Sequence, residues 1–210
     1  KTVGPSKRTG HVMIAKGYNL YVFGGRDMDS TELLNDLWVY SRLSNTWQLI
    51  TPVNPADSPS PRYWHAMGFN SSHLLVFGGR NRRNALNDLM AFDITFKTWS
   101  KVAMTNQPPT FTVHCKALQE EEMVTSKTAN GTNYNLYFAG CADITEIPSN
   151  EIYKLDLSKL QWSTHSSSVH AFGAAYDIVS TNGNIITMGG VSYSKVHSKV
   201  SLISPALKTS

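Results

Sequence analysis

The stretch LYVFGG, residues 20–25, is a short apolar run that ends on two glycines, and it decides the fold because it recurs. Its copies are LLVFGG at 74–79, LYFAGC at 136–141 and IITMGG at 185–190. The spacing of roughly 50 to 60 residues lies in the range of propeller blades and solenoid units. A run that is apolar at consecutive positions is typical of a strand buried on both faces. We therefore expect four copies of one sheet unit that bury their apolar faces against each other.

The same features flank each run in the same order. A histidine precedes every run, an Asn-Asp pair at 35–36 and 87–88 follows the first two, and a tryptophan closes the first three units. The structural repeat positions are Gly24, Gly25, Gly78, Gly79, Gly189, Gly190, Trp47, Trp99, Trp162, His11, His65, His114 and His170. Four short strand candidates per unit, separated by turn residues, predict an all-β chain of four-stranded antiparallel blades.

The joint order Arg-x-Gly-His, apolar run, Gly-Gly, Asn-Asp-Leu-Trp-x-Tyr and Trp resembles the kelch repeat, and the resemblance covers nearly the whole chain. It implies a kelch-type β-propeller, with one partial domain over 1–210 made of repeats near 5–55, 56–108, 109–165 and 166–210. The third unit departs from the pattern by lacking the arginine and the second glycine. The fourth lacks the arginine and the Asn-Asp pair.

The fourth unit predicts an incomplete ring. When its end is aligned on residues 41–47, Ser210 falls at the position of the tryptophan, so the outer strand is missing. The rest of the chain's own propeller, or another chain, would complete the ring. Unpaired strand edges and an exposed blade face would favour self-association.

Composition and motifs narrow the class of function. The net charge of +4 is mild, which permits an acidic partner and does not indicate nucleic acid. No apolar stretch approaches 18 residues, so we expect no membrane span. The chain has no nucleophile elbow, paired-cysteine metal motif or phosphate-binding loop, so we expect no enzyme activity and no cofactor. The repeated histidines could converge on a metal, but we favour a hydrogen bond of each histidine within its own blade.

Two cysteines leave the cellular compartment open. Cys115 and Cys141 fall near facing ends of the first and second strands of the third unit, where they could form a disulfide in an oxidising compartment. Alternatively they are two buried thiols, an interpretation that we favour and that suits a cytoplasmic chain over a secreted one. Asn70 and Asn130 match the glycosylation pattern, but such matches arise by chance and decide nothing.

In a four-stranded meander, the loops after the second strands and the links between blades emerge at the same end. Arginine, tyrosine and tryptophan, which dominate interface energetics, collect there in this chain. In kelch propellers that bind acidic peptides, the residue after Gly-Gly and those after the leading arginine contact the ligand. The resemblance therefore implies partner binding by Arg26, Arg80, Tyr63 and Trp64. We expect Arg82 and Arg83, in the same basic loop as Arg80, to bind the partner as well.

These observations predict a non-enzymatic protein–protein interaction module, a scaffold that presents a basic and aromatic loop face to a protein partner with an acidic segment. One alternative is a propeller enzyme or sugar-binding domain with an axial site. Another is an extracellular adhesive domain. Trp64 stands where the repeat has glycine, and the sequence leaves open whether it is a wedge between blades or an exposed anchor.

Overall fold

The structure is a computed structural model, and it describes eleven segments of the chain. They are residues 4–70, 72–106, 116–124, 131–139, 151–157, 159–166, 177–181, 184–188, 191–192, 195–196 and 200–203. In these residues the only regular structure besides β-strands is a short 3-10 helix at Pro55–Asp57, which confirms the all-β prediction. Within the same segments, no helix is long and apolar enough to cross a membrane. The chain forms two compact units, Lys1–Ala103 and Met104–Ser210.

Two antiparallel sheets make up the first unit. The first sheet contains β1 (Arg8–Thr9), β2 (Val12–Lys16), β3 (Asn19–Asp27), β4 (Leu33–Ser41) and β5 (Thr46–Ile50). In it β1 and β2 both pair with β3, and β4 and β5 follow in order. The second sheet contains β6 (Ala66–Phe69), β7 (His73–Phe77), β8 (Leu89–Asp93) and β9 (Thr98–Val102), paired in chain order. The predicted four-stranded meander is therefore present in both blades.

The second unit repeats this plan in its described strands. The third sheet contains β10 (Lys116–Val124), β11 (Gly131–Ala139), β12 (Glu151–Asp156) and β13 (Gln161–Ser166) in chain order. The fourth contains β14 (Asp177–Thr181), β15 (Asn184–Met188) and β18 (Val200–Ile203), while β16 (Val191–Ser192) pairs with β17 (Lys195–Val196) in the connection before β18.

Several predictions of the sequence fall outside the described residues. The missing outer strand of the fourth blade concerns 204–210, and the suggested disulfide and one glycosylation motif also lie beyond the described segments. The repeat and thiol positions in this group are His114, His170, Gly189, Gly190, Cys115, Cys141 and Asn130.

The core of the first unit lies between its two sheets. Tyr21 and Phe23 of β3 join this core, while Val22 between them is 3% exposed on the other face of the strand. The apolar run is thus buried on both faces, because strand side chains alternate in direction. The core residues are Tyr21, Phe23, Leu37, Met67, Phe69, Leu74, Val76, Met90, Phe92 and Trp99.

The repeated tryptophans differ in burial. Trp99 is 2% exposed, and its ring lies 5.0 Å from Phe92 of its own sheet and 5.4 Å from Phe23 of the first sheet. A contact of this kind joins the two blades through a large buried ring. Trp162 in the second unit is 4% exposed. Trp47 is only half-buried, because strand alternation directs it away from the second sheet.

Candidate interaction surface

The links that lead into each blade lie beside the ends of the second strands. In the first sheet, Thr9 pairs with Arg26 at the end of β3. In the second, Tyr63 and Arg80 exchange two backbone hydrogen bonds of 3.0 and 2.9 Å. We expected Arg26 to lie in the loop after the second strand, and this is wrong: β3 continues through its glycines to Asp27 because the link supplies a pairing strand. Links and loops nevertheless share one end of the sheets, which we call the loop face.

In the first two blades, the leading arginine forms hydrogen bonds to the aspartate of the Asn-Asp pair. Arg62 is fully buried and donates to both carboxylate oxygens of Asp88, at 2.8 and 2.9 Å, and to the carbonyl of Gly78 at 3.0 Å. Arg8 makes the same pair of bonds to Asp36, at 2.7 and 2.9 Å. Bidentate hydrogen bonds between charged groups are among the strongest hydrogen bonds in proteins. These charges hold the link against the third strand.

The first and second blades approach closely at the glycines of β3. The backbone nitrogen of Gly25 donates to the carbonyl of Arg62 at 2.8 Å. The backbone nitrogen of Arg62 in turn donates to the carbonyl of Leu34 at 3.1 Å. Gly24 has a φ of +60°, and a Cβ atom there would lie 2.8 Å from the carbonyl oxygen of Arg62. Glycine allows both the backbone conformation and the approach. The link that carries Tyr63 is thereby fixed against the first blade.

An open cavity of about 390 Å³ lies on the loop face between these two blades, and we call it the basic pocket. Its lining residues are Arg26, Thr31, Leu33, Tyr63 and Arg82. Both guanidinium groups belong to exposed residues, whereas Tyr63 is partly buried. The pocket therefore offers two accessible cations beside one anchored phenol ring.

Each arginine of the basic pocket has one weak partner. The Nε atom of Arg26 donates to the carbonyl of Thr31 at 3.4 Å. Arg82 forms an ion pair with Glu32 at 2.7 Å, in which the two side chains are 62% and 66% exposed. Ion pairs this exposed contribute at most about 1 kcal/mol. An incoming carboxylate could therefore displace Glu32.

The remaining predicted arginines lie near the basic pocket without lining it. Arg80 is half-buried, since its backbone forms the bridge to Tyr63. Arg83 is exposed in the turn after it. The side-chain oxygen of Asn81 holds this turn by accepting bonds from the backbone nitrogens of Arg83 and Asn84, at 2.8 and 2.7 Å.

Trp64 is both in contact with the neighbouring blade and exposed. Its backbone nitrogen donates to the carbonyl of Gly10 in the first blade at 2.8 Å, so it contacts the neighbouring blade. The residue is nevertheless 39% exposed. Its ring centre lies 4.5 Å from that of Tyr63, which lines the basic pocket.

His65 differs from the expected hydrogen bond of each histidine within its own blade. His65 is 4% exposed, and neither ring nitrogen has a hydrogen-bond partner of normal geometry. Its ring instead packs edge-on against Phe23 of the first blade, at 5.3 Å. Burial, with the nearby charges of Arg62 and His11, lowers the pKa of His65 to about 3, although a weak contact to the Phe23 carbonyl opposes the shift. Partial burial, with the charge of Arg8, also lowers the pKa of His11.

Asp27 is a further charged group of the loop face. Asp27 accepts bonds from the backbone nitrogens of Asp29 and Ser30, at 2.9 and 2.8 Å, and these bonds hold its pKa well below the ordinary value. Within the described residues, no three His, Cys, Asp or Glu side chains gather as metal ligands. The described loop face thus offers charge and aromatic contact.

Comparison with known protein families matches residues 57–209 to the KLHDC2/KLHL20/DRC7 Kelch-repeats domain and residues 7–54 to the Kelch motif. The chain is 28% identical to acyl-CoA-binding domain-containing protein 4 of Arabidopsis thaliana, over 100% of the chain and 30% of that protein. It is also 28% identical to Kelch domain-containing protein 3 of Bos taurus, over 76% of the chain and 42% of that protein. The chain thus spans less than half the length of these relatives. Because the two family matches cover both units almost throughout, the chain belongs to the kelch-repeat family.

Proposed function

We propose that the chain is a protein–protein interaction module whose basic pocket holds an acidic side chain of its partner. Kelch repeats are in general non-enzymatic units for protein interaction. The observation that carries the proposal is the convergence of Arg26, Arg82 and Tyr63 on one open cavity of the loop face. A guanidinium group matches the two oxygens of a carboxylate, and Arg and Tyr are enriched at binding hot spots.

The ion pair between Arg82 and Glu32 supports this choice of ligand. It places a carboxylate 2.7 Å from a pocket guanidinium, so the chain already contains the contact that a partner would make. Since both side chains are largely exposed, exchanging one carboxylate for another has a small energetic cost. Glu32 therefore acts as an internal competitor, and Glu32→Gln should bind an acidic partner more tightly than the wild type.

An axial enzyme or sugar-binding site and an extracellular adhesive role are the two alternative functions. Neither has a specific observation in its favour among the described residues. The proposal therefore concerns the loop face of the first unit, where the guanidinium groups, the phenol ring and the indole lie on neighbouring elements.

A random peptide library displayed on phage tests the proposal without knowledge of the partner. Selection on the wild-type chain should enrich sequences that contain Asp or Glu. The best peptide should then bind the double variant Arg26→Gln/Arg82→Gln about tenfold more weakly, which corresponds to about 1.4 kcal/mol. Added salt should weaken wild-type binding, because exposed charges are screened.

Arg42→Gln is the matched control. Arg42 is equally exposed, but it lies in the turn between β4 and β5, at the other end of the sheet from the loop face. It should bind the peptide as the wild type does. Selection without acidic enrichment, or an equal loss in Arg42→Gln, would contradict the proposal.

A further inference from the structure

The backbone of Trp64 adopts a conformation that suits glycine. Its φ is +57°, in the left-handed region where a bulky side chain is strained. The corresponding residue of the first repeat is Gly10, with a φ of +66°. The spacing from Arg8 to His11 and from Arg62 to His65 fixes this correspondence. The second blade thus has a bulky residue, Trp64, in a left-handed conformation that the first blade gives to a glycine, Gly10.

Three of the other left-handed residues that are not glycine have a different explanation. Asn45, Lys97 and Leu160 have φ values of +56°, +56° and +54°. Each lies two residues before the repeated tryptophan of its own blade, so the conformation belongs to a turn that three blades share. Trp64 has no such explanation, because its described counterpart is Gly10.

The left-handed residue places an aromatic ring beside Tyr63, which lines the basic pocket. A Cβ atom at Gly10 would lie 3.1 to 3.2 Å from the indole of Trp64, so the indole packs directly on that glycine. The indole also contacts the ring of Tyr63, at 4.5 Å between ring centres. The ring thus packs against two neighbours while 39% of the residue is exposed. A ring held in this way loses little conformational entropy on binding.

We propose that Trp64 determines the specificity of the loop face by contacting an apolar side chain, best an aromatic one, beside the acidic residue of the partner. The inference rests on the proposed function and narrows its ligand to an acidic residue with an aromatic or aliphatic neighbour. Backbone strain tends to persist where it serves binding. Indole is also among the commonest hot-spot groups, and it favours contact with other aromatic rings.

The first arm of the test measures strain. Trp64→Gly and Trp64→Ala both remove the indole, but only glycine adopts the left-handed conformation freely. The glycine variant should therefore unfold at a higher urea concentration than the alanine variant, even though glycine makes the unfolded chain more flexible. An alanine variant as stable as the glycine variant would show that the position is unstrained and would overturn the inference.

The second arm measures specificity by selection. The phage library on wild-type chain should enrich acidic residues with an adjacent aromatic or aliphatic residue. On Trp64→Gly the acidic preference should remain and the apolar preference should disappear. Trp64→Phe, which keeps a ring, should retain both preferences. Apolar enrichment that is unchanged on Trp64→Gly would overturn the inference and leave the proposed function standing, whereas loss of acidic enrichment on the wild type would overturn the proposed function itself.

The third arm measures affinity with one matched pair of peptides. The best peptide and a version with its apolar residue replaced by alanine should differ about tenfold in affinity for the wild type. For Trp64→Gly the difference should shrink to about twofold or less, because the indole that contacts the apolar side chain is absent. An unchanged ratio in the variant would show that another residue contacts the apolar side chain.

Discussion

Replacing Gly24 by alanine should measure the close approach between the first and second blades. A Cβ atom at Gly24 would lie 2.8 Å from the carbonyl oxygen of Arg62 and 3.2 Å from Cε1 of His65. Gly17, in the turn between β2 and β3, is the matched control: its φ of +58° is close to the +60° of Gly24, but nothing lies within 4 Å of its added Cβ. The two substitutions thus share the backbone strain and differ in contacts.

The expected magnitudes follow from these distances. Placing alanine in the left-handed region costs about 1 kcal/mol, which is the whole expected effect at Gly17. At Gly24 the overlap with a backbone oxygen adds about 1 to 3 kcal/mol. The hydrogen bond from Gly25 to the same carbonyl would be distorted, for about 1 kcal/mol more. Gly24→Ala should therefore lose about 3 to 5 kcal/mol in total.

Urea unfolding followed by tryptophan fluorescence is the assay. With an m-value of about 2 kcal/mol/M, the midpoint should fall by about 1.5 to 2.5 M for Gly24→Ala and by about 0.5 M for Gly17→Ala. The m-value itself should not change in either variant, because the unfolded surface is the same. Equal midpoint shifts in the two variants would refute the close packing of the blades at this glycine.

Two further predictions concern buried charge. The free energy of unfolding should fall by about 2 kcal/mol from pH 6.5 to pH 5, because unfolded His65 takes up a proton near its ordinary pKa of 6.5 whereas the folded form stays neutral until about pH 3. His65→Leu should flatten this slope in urea titrations, and an unchanged slope would assign it to other groups. Asp88→Asn should cost about 3 kcal/mol by leaving the buried guanidinium of Arg62 without its carboxylate. Asp29→Asn, whose ion pair is largely exposed, should have little effect; similar losses in both variants would contradict the buried pair.

The sheets were predictable because their signals are local or periodic. An apolar run such as 20–23, the following glycines and the turn residues act within a few positions, and their recurrence identifies a blade. The extension of β3 to Asp27 was not predictable, because it depends on pairing with the link. The bond between Arg62 and Asp88 joins residues 26 positions apart. The only sign of this bond in the sequence was that the first repeat has an arginine and an aspartate, Arg8 and Asp36, at the equivalent positions.

The candidate site was predictable in its residue types and less so in its geometry. The resemblance to kelch repeats identified Arg26 and Tyr63, and both line the basic pocket. It gave no sign of Glu32, whose contact with Arg82 crosses between blades. A sequence also cannot reveal a backbone angle, so the strain at Trp64 became visible only in the structure.

The hydrogen bond expected of His65 shows a further limit. A repeated polar residue suggests a repeated polar contact, yet His65 packs against Phe23 like an apolar ring. Its environment is set by the neighbouring blade, which periodicity within one repeat does not describe. The same dependence explains why Trp99 is buried while Trp47 is half-exposed.

Hydrogen–deuterium exchange with and without the selected acidic peptide tests the location of binding most directly. The peptide should slow exchange of backbone amides in residues 26–33, 63–64 and 80–85, which surround the basic pocket. Exchange in the turns at 41–45 and 93–97, at the opposite end of the same sheets, should not change. Protection confined to those turns, with none around Arg26 and Tyr63, would contradict the account of the loop face.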